Sequence, residues 1–98
     1  MYARSTSVPA VRERIDAGVR YVDVEVTPLL SAREGCVGLS MLVDRRTGGC
    51  ILTSAWRSVE ALQAWDGDLR GVAGRVAEVL GGSPEDEDWE IAVLHRAH

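Results

Sequence analysis

Apolar positions along this chain change their spacing several times, and each change marks a different element. Met1–Ser7 partly alternates and is rich in hydroxyls, which predicts a first strand with Tyr2, Arg4 and Thr6 on one face and Ala3, Ser5 and Ser7 on the other. Ser7 or Val8 leads into Pro9, a residue suited to the first turn of a helix because its missing N–H has no partner there. Val11, Ile15, Val19, Val22, Val26 and Leu29 or Leu30 then follow in steps of three and four, a helical stripe. Inside it, Tyr21–Val26 also alternates with period two and is β-branched, as a strand would be. The stripe spans about five turns and the alternation only a short segment, so a helix is preferred, with Pro28 kinking or ending it.

Cys36–Val43 is a nearly continuous apolar run, the pattern of a strand covered on both faces. Asp44–Gly49 is turn chemistry, and Cys50–Trp56 is the returning strand of a hairpin. Ser58 is placed to cap a helix over Val59–Trp65, interrupted by Asp66-Gly67-Asp68. A second stripe, Leu69, Val72, Ala73, Val76, Val79 and Leu80, stops at Gly81-Gly82. Ser83–Asp88 reads as a solvated acidic loop, and Trp89–His95 as the closing strand.

The resulting order, β-α-β-β-α-β, is the ferredoxin-like arrangement of the α+β class: a four-stranded antiparallel sheet with helices on one face. Its second sheet face ordinarily meets water. Here Leu39, Met41 and Val43 lie on one side of the second strand and Gly38 and Leu42 on the other, so neither side reads as a water face. A second copy of the same sheet covers the remaining face most economically, which predicts a homodimer.

Composition narrows the chemistry. Ninety-eight residues make one small domain, residues 1–98. All 11 basic residues are arginine, and lysine, asparagine and phenylalanine are absent, a bias expected of a GC-rich bacterial genome. Without lysine there is neither a Schiff base nor a phosphate-loop lysine. A net charge of −4 and the run Glu85-Asp86-Glu87-Asp88 disfavour nucleic acid as a partner. No apolar stretch resembles a signal peptide or a membrane span, so the expected location is the cytoplasm. Cys36 and Cys50 fall at opposite ends of the predicted hairpin, on the order of 20 Å apart, beyond a bridge. Two isolated cysteines with His95 and His98 at the chain end form no usual zinc pattern, so no metal site is expected.

Gly35-Cys36-Val37-Gly38 followed by Leu39–Asp44 resembles the second strand of antibiotic-biosynthesis-monooxygenase-type domains, and Thr53–Trp65 resembles their strand-to-helix segment. The resemblance implies a dimeric α/β barrel made by two sheets packed face to face. It also implies one of three activities: cofactor-free oxygenation of aromatic substrates, haem degradation, or none known.

Of the haem-degrading branch's functional positions, the tryptophan matches Trp65. Its ligating histidine falls at Gly74 and its first-strand asparagine near Arg4 or Thr6, so haem chemistry is not expected. In the oxygenase branch the substrate is an acidic phenol or enol whose anion itself passes an electron to O₂, and no cofactor is needed. That reading makes Trp65 and Trp56 candidate pocket walls, Arg4 the stabiliser of an enolate or phenolate, and Thr6 or Thr53 hydrogen-bond donors. His95, in register with Trp89, Ile91 and Val93, is a candidate general base near neutral pH. Plainer alternatives stand beside these: Trp65 as core, Trp56 as core or dimer interface, Trp89 as an edge or interface anchor, Arg4 as a surface or interface charge, and His95 as a structural or interface histidine. His98 is expected to fray.

Overall fold

The computed structural model describes residues 1–97. Its four strands are β1 (Tyr2–Pro9), β2 (Cys36–Val43), β3 (Gly49–Trp56) and β4 (Glu85–Glu90), in the antiparallel order β2-β3-β1-β4. The helices are α1 (Ile15–Tyr21), α2 (Thr27–Ser31), α3 (Val59–Ala64) and α4 (Asp66–Leu80). They cover one sheet face, and Ile15, Val26, Leu30, Leu62, Val76 and Leu80 meet the sheet in a single buried cluster. The ferredoxin-like α+β architecture and the β2–β3 hairpin match the expectation. No helix among the described residues is long and apolar enough to cross a membrane.

Three local readings are corrected here, and the helix over Tyr21–Val26 is refined. Pro9 ends β1, opposite Gly49, and does not open a helix; helical geometry begins with a short 3-10 turn, Arg12–Arg14. Tyr21–Val26 is helical throughout, but Val22–Val26 widens into a π turn. That turn buries Val22 and Val26 and leaves Val24 in water, which is why the valines imitate a strand in sequence. Pro28 does not end the helical run, which continues to Ser31: it lies in the first turn of α2, directly after the π turn. Asp66-Gly67-Asp68 is helical, and the break between α3 and α4 is Trp65 itself (φ −108°, ψ 16°).

The fourth correction is the largest. The closing strand is the acidic run Glu85–Glu90, not Trp89–His95. β1 offers its free edge over Tyr2–Ser7, and Glu90 to Glu85 pair with those residues in register. An edge strand needs no apolar face, and its charges deter further strand pairing. Beyond it the Ile91 N–H returns to the sheet, donating to the Met1 carbonyl at 2.9 Å. His95 is exposed and outside the sheet; the expectation for His98 lies outside the described residues.

The two sheet faces differ. Toward the helices point Arg4, Thr6 and Val8 of β1, Cys50, Leu52, Ser54 and Trp56 of β3, and Leu39, Met41 and Val43 of β2. The opposite face carries Ser5 and Ser7, Ser40 and Leu42, Ile51 and Thr53. The expectation of two apolar faces therefore fails in part. Ser40 and Thr53 bond to each other at 2.6 Å across β2 and β3, and the hydroxyls are interleaved with Leu42, 57% exposed, and Ile51. Cys36 and Cys50 are free thiols, paired respectively with Trp56 and Val43 at opposite ends of the hairpin.

Candidate functional site

Period-two alternation sends Arg4 and Thr6 to the helix side of β1, next to Ser54 of β3. These three are the buried polar side chains among the described residues, and all line one small void together with Leu30, Leu52, Leu69 and Val72. The void is about 10 Å³. That is roughly what one water requires, so the space between sheet and α4 is closed.

Arg4, 8% exposed, is answered on every side. Its Nε and NH2 donate to the two carboxylate oxygens of Asp88 at 2.7 and 3.0 Å, a bidentate fork. Its NH1 donates to Asp66 Oδ1 at 2.6 Å. The bonds to Asp88, followed by those to Asp66, outweigh burial and hold the guanidinium still more firmly protonated than a free arginine. Arg4 is therefore an anion receptor and never a base. Its hydrogen bond in turn holds the Asp66 carboxyl below its ordinary pKa. Asp66 is shared: Arg70, one turn along α4, donates Nε to Oδ2 at 2.9 Å. Thr6 donates its hydroxyl to Asp86 at 2.6 Å, and Ser54 accepts the Trp56 indole N–H at 2.9 Å.

The five sequence candidates separate. Arg4 and Thr6 come together. Thr53 lies on the opposite sheet face, bonded to Ser40. Trp65 is half-buried at the α3–α4 break, donating its indole N–H to the Glu34 carbonyl at 3.0 Å, with the Arg33 guanidinium 5.0 Å from its ring centroid. It lines a shallow groove of about 410 Å³ with Gly35, Arg57 and Ala61, not the void beneath Arg4. His95 reaches neither, because the strand expected to carry it ends at Glu90. Trp56, fully buried, is core. Trp89 is 52% exposed and donates its indole N–H to Ser5 at 2.9 Å on the outer face.

Asp66, Asp86 and Asp88 are site residues that the sequence reading missed. Asp86 and Asp88 follow only once the strand pairing is known: Glu85–Glu90 laid antiparallel on Tyr2–Ser7 puts them beside Thr6 and Arg4 on the same face. Among the described residues, no group of three or more His, Cys, Asp or Glu is arranged to hold a metal.

No family model matches the chain. It is 47% and 44% identical, over all 98 of its residues, to the Mycobacterium tuberculosis proteins Rv2557 and Rv2558. It spans 44% and 42% of their respective lengths, less than half of each. Three solved structures show the fold. A putative antibiotic biosynthesis monooxygenase from Deinococcus radiodurans superposes with a TM-score of 0.71 at 16% identity, over 100% of this chain and 99% of that one. The ActVA-Orf6 monooxygenase of Streptomyces coelicolor, in complex with nanaomycin D, gives 0.74 at 14%, over 97% and 92%. A mutant of MhuD with two manganese protoporphyrin IX bound per active site gives 0.76 at 14%, over 99% and 100%. A porphyrin does not fit this chain between β1 and α4. The void there is about 10 Å³, Gly74 stands where the resemblance puts a histidine ligand, and His95 is exposed outside the sheet. The chain has the fold of the antibiotic biosynthesis monooxygenase-type domains.

Proposed function

We propose that residues 1–98 act as one monooxygenase-like, small-molecule-binding domain that works as a homodimer paired through the outer sheet faces. Its ligand is a small phenol or enol, held as the anion between β1 and α4 and oxidised by O₂ without a cofactor. The supporting observation is the set of buried polar side chains, Arg4, Thr6 and Ser54, gathered among aliphatic residues on the helix side of the sheet. A few convergent polar groups in an apolar setting are the ordinary make-up of a ligand site.

Arg4 supplies fixed positive charge where an enolate or phenolate forms. Thr6 positions an oxygen, and the aliphatic side chains keep out water. Two free thiols suit a reducing compartment, supporting the cytoplasm as the location. A net charge of −4 argues against nucleic acid or an anionic membrane surface as a partner.

The test is oxygen uptake with a panel of quinols and enols. Uptake that is lost in Arg4→Gln is expected; uptake that persists in that variant defeats the assignment of the site. Titration with haem is expected to give no Soret shift. The size of the void favours a second reading, a non-catalytic pairing or ligand-sensing module. A dimer that consumes no oxygen with any member of the panel selects it.

A further inference from the structure

The closed void and the ligand reading conflict unless something in the site gives way, and the hydrogen bonds single out which group that is. Asp88 grips Arg4 with both oxygens across the β1–β4 pair and has no other side-chain partner among the described residues. Asp66 grips with one oxygen, through NH1 alone, and its other oxygen already rests on Arg70. Arg70 is exposed, so Asp66 swinging away from Arg4 keeps a cationic partner and gains water. Asp88 is also open to water but has no second cation among the described residues.

Geometry couples that release to space. Asp66 opens α4, and Leu69, three residues on and therefore on the same side of the helix, is one of the aliphatic walls of the void. Trp65, just before Asp66, is the non-helical joint between α3 and α4. An outward shift of the first turn of α4 therefore uncovers Arg4 NH1 and widens the apolar space in the same movement. Arg33 bonds to Asp68 of that turn at 3.1 Å.

We infer that Asp66 is an internal stand-in for the ligand's anionic group, occupying the NH1 side of Arg4 until a planar monoanion replaces it. This rests on the ligand site proposed above and adds its charge class and the group that guards it. Replacing one carboxylate by one carboxylate, phenolate or enolate leaves the charge around Arg4 unchanged. A neutral ligand offers NH1 at best an uncharged acceptor in place of a carboxylate, and a cation faces Arg4 directly; both are disfavoured.

The test titrates benzoate and its neutral isostere benzamide into the full 98-residue chain, followed by amide NMR shifts around Arg4 and Leu69. Asp66→Asn is expected to bind benzoate about tenfold tighter than the native chain, with benzamide changed by less than about twofold. Adding Arg4→Gln removes the gain. Arg70→Gln, an exposed change that leaves the core intact, takes away Asp66's alternative partner and is expected to weaken benzoate about threefold. Benzoate affinity unmoved by Asp66→Asn, or benzoate and benzamide improving alike, overturns the stand-in role while leaving a ligand site in place. Neither probe binding to any variant overturns the ligand site itself.

Discussion

The two faces of the sheet are made by alternate residues of the same strands, yet they reach opposite states. On the inner face the polar residues are buried and fully answered: Arg4 by Asp66 and Asp88, Thr6 by Asp86, and Ser54 by Trp56. On the outer face the hydroxyls also pair, Ser40 with Thr53 and Ser5 with Trp89, but Leu42, Ile51 and Trp89 are left in water. One face is completed by its own helices, while the other leaves apolar side chains uncovered. The difference shows that a polar residue on a strand says little by itself about exposure. Arg4 is more deeply buried than Leu42 because of what stands across from it.

The sharpest way to break the inner face is to remove Arg4. A buried ion pair that loses one partner costs about 3–5 kcal/mol, and because Asp66 and Asp88 are partly exposed, about 2–3 kcal/mol is expected for Arg4→Gln in urea denaturation. A loss below about 0.5 kcal/mol would mean the fork does not hold β1, β4 and α4 together.

The corresponding attack on the outer face is Leu42→Asp. Its expected effect is on pairing: dissociation about thirtyfold easier, the equivalent of about 2 kcal/mol of leucine burial, with the unfolding of a single chain little changed. Loss of single-chain stability with unchanged association would assign Leu42 to the fold instead.

Acid provides a finer probe of the inner clamp. Asp66's folded pKa is lowered, chiefly by the Arg4 hydrogen bond, from an ordinary 3.8. Its contribution is therefore complete above the unfolded pKa and is lost as pH falls through the lower, folded value. Native protein is expected to lose stability more steeply than Asp66→Asn below about pH 4; identical slopes would place Asp66 outside the clamp. Smallest of all, Ser40→Ala on the outer face is expected to shift unfolding by less than about 0.5 kcal/mol, since its hydroxyl bond is exposed.

Much of this was legible in the residues, for reasons that also mark where legibility stops. The stripe Leu69–Leu80 and the turn between Val43 and Gly49 carry their periodicity locally, and both elements stand where the spacing puts them. The shared face of Arg4 and Thr6 follows from alternation alone. The acidic strand was hidden because the inner side of Glu85–Glu90 is satisfied by Arg4 and Thr6, at the other end of the chain, and not by apolar neighbours. The separation of Trp65 from Arg4 depends on the angle at which α3 meets α4, and no local pattern encodes it. Thr53 is the instructive case. Alternation along β3 places it opposite Ser54, but which of the two faces the helices is settled only by Leu52 and Trp56 burying beside Ser54.

Whether the outer face is a true half-interface is measured most directly by sedimentation equilibrium of the native chain at micromolar concentration. The account predicts a mass twice the chain's 10.6 kDa, returning toward 10.6 kDa in Leu42→Asp. A native chain that sediments at 10.6 kDa throughout would contradict it.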